Sequence, residues 1–138
     1  MDHYQLFIDG QWREGSKGQT MEAVNPATAK PWASFACAAE EDVNNAVGAA
    51  KRALADPAWE GLTATQRGKL LFKLADLVEK NSEMLGAVET RDSGKLAAET
   101  RTQSNYVADY YRYYGGYADK IQGATYPIDK PGMHVFST

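Results

Sequence analysis

Apolar positions follow two different periods along the chain. Up to residue 37, short apolar runs between turn residues predict strands at about 5–8 and 11–13. The pair is joined by Asp9-Gly10, a dipeptide favoured in two-residue hairpin turns because it tolerates positive φ. Two more strands are predicted at 20–26 (TMEAVNP) and 31–38 (PWASFACA). We interpret residues 1–38 as a small antiparallel meander.

From Glu40 onward the apolar period becomes helical. Apolar residues recur every three or four positions and predict three amphipathic helices, at about 40–55, 63–94 and 96–121. The first begins with three acidic residues, which suit the positive end of a helix dipole. Thr63 and Gln66 have the spacing of a capping box at the start of the second, which either runs to Gly94 or kinks near Asn81.

The chain closes with two more predicted strands. Residues 124–129 (ATYPID) and 133–138 (MHVFST) flank the turn sequence DKPG and predict a C-terminal β-ribbon. The whole pattern predicts an α+β fold in a single unit, 1–138, with strands in 1–38, helices in 40–122 and the ribbon in 124–138.

Length and charge narrow the function classes. A chain of 138 residues is about one domain long, and 15 Lys plus Arg against 18 Asp plus Glu give a net charge of −3. That balance gives no general attraction to phosphates, so we expect no nucleic-acid partner. The sequence shows no signal peptide and no apolar run long enough for a membrane span, and its single cysteine fits a reducing compartment. We therefore expect a cytoplasmic chain without a membrane partner.

Six of the eight tyrosines lie between Tyr106 and Tyr117. Their spacing places them on more than one side of the third helix. A nucleic-acid stacking platform combines aromatic residues with clustered Arg or Lys, whereas this stretch offers only Arg112 and Lys120. We interpret the tyrosines as packing residues between helices or subunits.

The residues most often used in catalysis are isolated from one another. Cys37 has no neighbouring His, Lys or Arg to favour its thiolate, so a structural role is favoured. His3 and His134 lie at opposite ends of the chain, outside any metal-ligand spacing. The glycines at 15 and 18 match no phosphate-binding fingerprint. We therefore assign no catalytic and no cofactor-binding residue.

Several segments, taken in order, resemble the start of the NAD(P)-dependent aldehyde dehydrogenase superfamily. The likeness covers nearly the whole chain and continues in ETRDSGK at 89–95, which resembles that family's turn sequence E-T-x-D-x-G-K. The other matching segments are FIDGQW at 7–12, VNPAT at 24–28, EEDVNNAV at 40–47, Trp59, TQRGKLLFKLADLVEKN at 65–81 and ADYYRYYGGYADKIQGATYPID at 108–129.

This resemblance implies a parent enzyme much longer than the chain. In the family, an aldehyde bound to a cysteine as a thiohemiacetal transfers hydride to NAD or NADP, and the thioester is then hydrolysed. The resemblance places the nucleophilic cysteine, the general base, the oxyanion donors and the nucleotide-binding turn beyond Thr138. We therefore expect the chain alone to be inactive and to bind neither NAD nor NADP, and Cys37 matches no functional position of the family.

The resemblance also implies a monovalent-cation site. By position, Asp92 would supply a carboxylate, and Ala23 and Val24 would supply main-chain carbonyls, to a sodium or potassium ion. The residues alone fit a second interpretation equally well, in which Asp92 belongs to a plain helix cap.

Assembly with a second copy is the partner we expect. The apolar stripes of helices two and three should pack against each other or against another chain, since large exposed apolar surfaces are rare on monomers. The free edge of the ribbon also invites strand pairing. We expect a homo-oligomer, and the alternative is a stand-alone non-catalytic module that binds a partner protein. The stripes consist of Leu70, Leu74, Leu77 and Val78 on helix two and Val107, Tyr111 and Tyr114 on helix three.

Overall fold

The computed structural model describes residues 1–137 and confirms the α+β class. Strands occupy both ends of the chain and helices the middle. The strands of this part are β1 (Asp2–Tyr4), β2 (Leu6–Ile8), β3 (Gln11–Arg13), β4 (Thr20–Asn25), β5 (Lys30–Ala36), β6 (Thr125–Tyr126) and β7 (Val135–Phe136). The helices are α1 (Glu40–Leu54), α2 (Pro57–Glu60), α3 (Ala64–Lys80), α4 (Ser82–Ser93) and α5 (Ala97–Tyr117).

The N-terminal strands do not form a simple antiparallel meander. β4 and β5 pair antiparallel, but β1 pairs in parallel with β5, which gives a three-stranded mixed sheet in the order β1-β5-β4. β2 and β3 form a separate hairpin through the predicted turn, where Asp9 and Gly10 both have positive φ. A parallel pair requires a long connection between its two strands, and the residues between β1 and β5 provide one.

The C-terminal ribbon is present but short. β6 and β7 pair antiparallel, with Thr125 opposite Phe136 and Tyr126 opposite Val135. The last residue of the predicted strand 133–138, Thr138, lies outside the described residues.

Local chemistry sets the helix ends. At the start of α3, the Thr63 hydroxyl accepts from the Gln66 amide at 3.2 Å and the Gln66 side chain accepts from the Thr63 amide at 2.8 Å, which is the predicted capping box. Asp56 caps α2, whose first residue is a proline. Gly94 ends α4 in the left-handed conformation, at φ 76°.

Residues 1–137 contain five helices where three were predicted. The long second helix breaks at Asn81, whose side chain donates to the Leu77 carbonyl at 2.7 Å and competes with the helical hydrogen-bond pattern. The break produces α3 and α4. A kink near Asn81 was one of the two alternatives predicted for the second helix, the other being a continuous helix to Gly94. The short α2, around Trp59, was not predicted, and α5 ends four residues earlier than expected.

The buried interior consists mainly of small residues. Among the described residues, the buried apolar side chains are Ile8, Ala33, Ala36, Ala49, Ala75 and Ala108. Most large apolar side chains of the helices are exposed instead. The elements therefore approach one another closely along small-residue faces and leave their bulky faces outward.

Candidate assembly surface and cation site

The crossing of α3 and α5 is built on glycine and alanine. Gly68 lies against the Gly115 backbone so closely that a Cβ at Gly68 would overlap the Gly115 carbonyl oxygen. Ala75 and Ala108 are fully buried. Close backbone approach of this kind fixes the relative position of two helices, and the side chains of Leu71 and Phe72 lie beside it, each 3.3 Å from a Cβ placed at Gly115.

α4 packs on α5 through a second small-residue contact. A Cβ at Gly86 would lie 2.9 Å from the Arg101 backbone. Nearby, the hydroxyls of Thr90 and the fully buried Thr100 are 2.7 Å apart, and the Ser104 hydroxyl donates to the Thr100 carbonyl at 3.0 Å. The buried hydroxyls are thus satisfied, which buried polar groups require.

Arg112 ties α5 to α3 at the surface. Its guanidinium donates to the Glu79 and Asp76 carboxylates of α3, the latter at 3.0 Å, and lies 3.4 Å from Asp109. These hydrogen bonds to Glu79 and then Asp76 raise the pKa of Arg112 further above its ordinary value. The cluster adds charge-assisted bonds beside the apolar crossing.

The large apolar stripes, expected to pack against each other or against a second copy, are largely exposed in this chain. Leu77 is 58 % and Tyr114 59 % exposed, and of the seven stripe residues only Val78 and Tyr111 are half-buried. Bulky residues at these positions would have held the two backbones apart, whereas Gly68 and Gly115 bring them together. Packing of the same stripes against a second copy stays a prediction.

The tyrosines of α5 form an exposed aromatic face. Tyr106, Tyr110 and Tyr113 are each at least 60 % exposed, and they line a shallow cleft of about 390 Å³ with Asp109 and Tyr114. The rings of Tyr113 and Tyr117 are parallel with centroids 6.3 Å apart. These exposed side chains do not pack between helices of this chain, whereas Tyr111 is half-buried, and packing of the exposed tyrosines between subunits stays a prediction.

A second apolar cleft opens between α1, α2 and α3. It has a volume of about 800 Å³ and is walled by alanines of α1, Leu62, Leu70 and Trp59. The Arg67 guanidinium lies over the Trp59 ring at 5.1 Å. On α1, Val43, Val47 and Leu54 are half or more exposed, so the apolar surface continues along that helix.

The three residues of the predicted cation site lie in neighbouring elements. Asp92 is exposed in the last turn of α4, and Ala23 and Val24 lie at the irregularity in the β4–β5 pairing. The end of α4 approaches the end of β4, since a Cβ at Gly94 would be 2.8 Å from Pro26 Cγ. Within residues 1–137, no three His, Cys, Asp or Glu residues cluster as a metal-binding set, so a cation here would depend on main-chain carbonyls.

The remaining candidate side chains are far apart. Cys37 is half-buried and its amide donates to the Gln19 carbonyl at 2.8 Å. His3 lies on β1, with Nδ1 2.8 Å from Ser34 Oγ and Nε2 3.1 Å from the Glu14 carboxylate. His134 is exposed next to β7.

Asp42 links the loop at Ser16 to the start of α1, a role that the sequence did not predict. It is 4 % exposed, and its Oδ2 accepts from the Ala39 amide, the Ser16 amide and the Ser16 hydroxyl at 2.8–2.9 Å. The bonds from Ala39 and then Ser16 lower the pKa of Asp42. The only sequence signal was an acidic residue at the third position of α1, which the analysis assigned to the helix dipole.

Comparison with known proteins identifies the family. The sequence model of the aldehyde dehydrogenase family matches residues 12–138. The chain is 51 % identical over 136 residues to (Z)-2-((N-methylformamido)methylene)-5-hydroxybutyrolactone dehydrogenase of Acinetobacter baylyi, a match that covers 99 % of the chain and 28 % of that protein. The chain belongs to the aldehyde dehydrogenase family.

Solved structures agree with this assignment. An aldehyde dehydrogenase of Bacillus cereus superposes with a TM-score of 0.85 at 37 % identity, over 94 % of the chain and 26 % of that protein. Betaine aldehyde dehydrogenase of Staphylococcus aureus, in complex with NAD+, gives a TM-score of 0.83 at 29 % identity, over 94 % and 26 %. The chain thus spans about a quarter of the length of these relatives.

None of the helices in residues 1–137 combines the length and the apolar character that a membrane span needs.

Proposed function

We propose that this chain is the N-terminal scaffold and assembly part of an aldehyde dehydrogenase. The parent reaction is the NAD(P)-dependent oxidation of an aldehyde to a carboxylic acid through a cysteine thioester. Family membership and the coverage of a quarter of the relatives support this role. The chain by itself is proposed to be inactive and to leave NAD and NADP unbound.

The main observation behind the proposal is that small residues form the helix crossing while large apolar residues face outward. Glycine and alanine bring α3 and α5 together, so the large apolar residues that point outward are not needed for that crossing. A large contiguous apolar surface on a folded chain marks a site that another protein surface covers. Coverage by the rest of the enzyme and by a second copy accounts for the stripes on α1 and α3 and for the tyrosine face.

Two subsidiary proposals follow from the family. A sodium or potassium ion bound by Asp92 and the carbonyls of Ala23 and Val24 would tie α4 to β4. The parent enzyme is proposed to be a cytoplasmic homo-oligomer, and the single cysteine of this chain, Cys37, fits a reducing compartment.

A chimera tests the scaffold role. The chain replaces the matching segment of the Acinetobacter baylyi dehydrogenase, and NAD reduction is measured with the substrate in that relative's name. We expect a soluble oligomer with dehydrogenase activity. The control chimera carries Gly68→Leu, which forces α3 and α5 apart, and should lose both. A soluble, folded chimera that stays monomeric and inactive would contradict the proposal.

The inactivity of the isolated chain is tested separately. Calorimetric titration of the 138-residue chain with NAD and with NADP should give no saturable heat. Saturable binding in the micromolar range would show that the chain holds a nucleotide site of its own.

A further inference from the structure

Strand β1 is a short edge strand whose three residues are all exposed. It consists of Asp2, His3 and Tyr4 and pairs only with β5 in the mixed sheet. Tyr4 is 43 % exposed, so its partly covered ring supplies the main apolar contribution of β1 to its attachment. The side chains of β1 also make polar and aromatic contacts: Asp2 meets Arg91 of α4, His3 meets Glu14 and Ser34, and Tyr4 meets Trp32 of β5.

His3 fastens β1 to the segment that follows the hairpin. Its Nε2 is 3.1 Å from both carboxylate oxygens of Glu14, and its Nδ1 is 2.8 Å from Ser34 Oγ on β5. Gln5 donates to the same carboxylate at 2.9 Å. These hydrogen bonds, from Gln5 and then His3, lower the pKa of Glu14, so it remains a carboxylate at neutral pH.

Asp2 and Tyr4 fasten β1 toward α4. The Asp2 carboxylate lies 3.9 Å from the Arg91 guanidinium, which also lies over the Trp32 ring at 5.4 Å. Tyr4 meets the edge of the same Trp32 ring, with centroids 6.2 Å apart. Asp2 and Arg91 thus form an exposed ion pair, and the contact between His3 and Glu14 places an imidazole against a carboxylate at the protein surface.

We propose that β1 is a detachable edge strand that covers β5 and is released by raised ionic strength. Exposed ion pairs are weak and screened by salt, since the Debye length falls to about 3 Å at about 1 M salt. Apart from these pairs, the three-residue strand is held by its pairing with β5 and by the contact between Tyr4 and Trp32. Release uncovers the side of β5 that faces β1, and an uncovered strand edge is a template for pairing with another strand.

Hydrogen exchange tests this directly. Residue-resolved exchange is measured by NMR on the chain at low salt and at high salt. We expect the β1 amides, and the β5 amides that face β1, to exchange up to about fivefold faster at high salt, the effect of losing weak surface pairs. The amides of β5 that face β4 should change little.

Variants test whether faster exchange of β1 results from the loss of its own charged partners or from a general loss of stability. The double variant Glu14→Gln and Asp2→Asn removes both charged partners, and should bring low-salt exchange of β1 to the high-salt rate and abolish the salt dependence. The matched control, Arg52→Gln, removes the 2.8 Å pair with Asp9 on the hairpin and should leave β1 exchange unchanged.

Two outcomes would overturn the proposal. One is equal β1 exchange at both salt concentrations, and the other is a double variant that exchanges like the unaltered chain. The same substitutions in the chimera, followed by peptide-level exchange with mass spectrometry, give the same reading if the isolated chain does not yield a resolved spectrum.

Discussion

Gly68 of α3 and Gly115 of α5 are in backbone contact. A Cβ at Gly115 would lie 3.0 Å from the Gly68 carbonyl oxygen, and a Cβ at Gly68 would overlap the Gly115 carbonyl oxygen. Such a contact leaves no room for a methyl group at Gly68 and little room for one at Gly115. The crossing of the two longest helices therefore depends on two residues that sequence periodicity does not treat as core positions.

Gly68→Ala is expected to destabilise the protein. In an open helix alanine would gain about 1 kcal/mol over glycine, but overpacking costs about 1–3 kcal/mol, so we expect a net loss of up to about 2 kcal/mol. Urea unfolding followed by circular dichroism measures the change. The matched control is Gly116→Ala, since a Cβ there would meet only Phe72 Cζ at 4.0 Å and should be neutral or stabilising. Equal effects of the two variants would contradict the contact.

Ala108→Leu and Tyr110→Ser test which face of α5 stabilises the chain. Ala108 is fully buried and Tyr110 is 65 % exposed. We expect the leucine to cost about 1–3 kcal/mol through overpacking and the serine to change the free energy of unfolding by at most about 0.5 kcal/mol. A large loss from Tyr110→Ser in the monomer would mean that the aromatic face packs within one chain.

Asp42→Asn should lower the melting temperature at neutral pH by several degrees, because Oδ2 accepts three hydrogen bonds as a carboxylate. The pKa of Asp42 is lowered in the folded state. Its contribution is therefore present above the pKa of the unfolded chain and is lost as pH falls through the folded pKa.

Melting curves between neutral pH and strongly acidic pH measure this effect. The variant should lose less stability on acidification than the unaltered chain. Asp129→Asn, at an exposed position in the loop before β7, is the control and should preserve the acid dependence. An unchanged pH profile in Asp42→Asn would show that the network does not depend on the charge.

Asp92→Asn tests the proposed cation site. With an ion bound, exchanging sodium or potassium for a large organic cation should lower the melting temperature of the unaltered chain, because a ligand that binds only the folded state stabilises it. The variant should melt at the same temperature in all these salts. Asp76→Asn, on another helix, is the control. Salt-independent melting of the unaltered chain would leave Asp92 as a helix-cap residue only.

Light scattering tests the assembly surface. We expect a dimer or larger species at tens of micromolar, because α1 and α3 expose apolar stripes that a monomer rarely keeps. Leu70→Gln combined with Leu77→Gln should shift the population toward monomer, while Lys73→Gln on the same helix should not. A monodisperse monomer of the unaltered chain would show that these stripes do not drive self-association.

The sequence by itself determined the features that depend on a few neighbouring residues. Asp9-Gly10 fixed a hairpin because few other residue pairs tolerate positive φ at both positions. Thr63 and Gln66 fixed the start of α3 because each side chain bonds the backbone of the other. The segments that resemble the aldehyde dehydrogenase family also predicted the family assignment, since they occur in this chain in the family's order and spacing.

Tertiary structure alone decided which faces meet. The parallel pairing of β1 with β5 joins residues about thirty positions apart, as His3 opposite Ser34 shows, and no local pattern specifies such a partner. Periodicity marks leucine and tyrosine stripes as apolar, but it cannot tell whether a stripe faces a neighbouring helix or another surface. Gly68 and Gly115 decide this, because a helix pair packs where the backbones can approach most closely, and that depends on both helices at once.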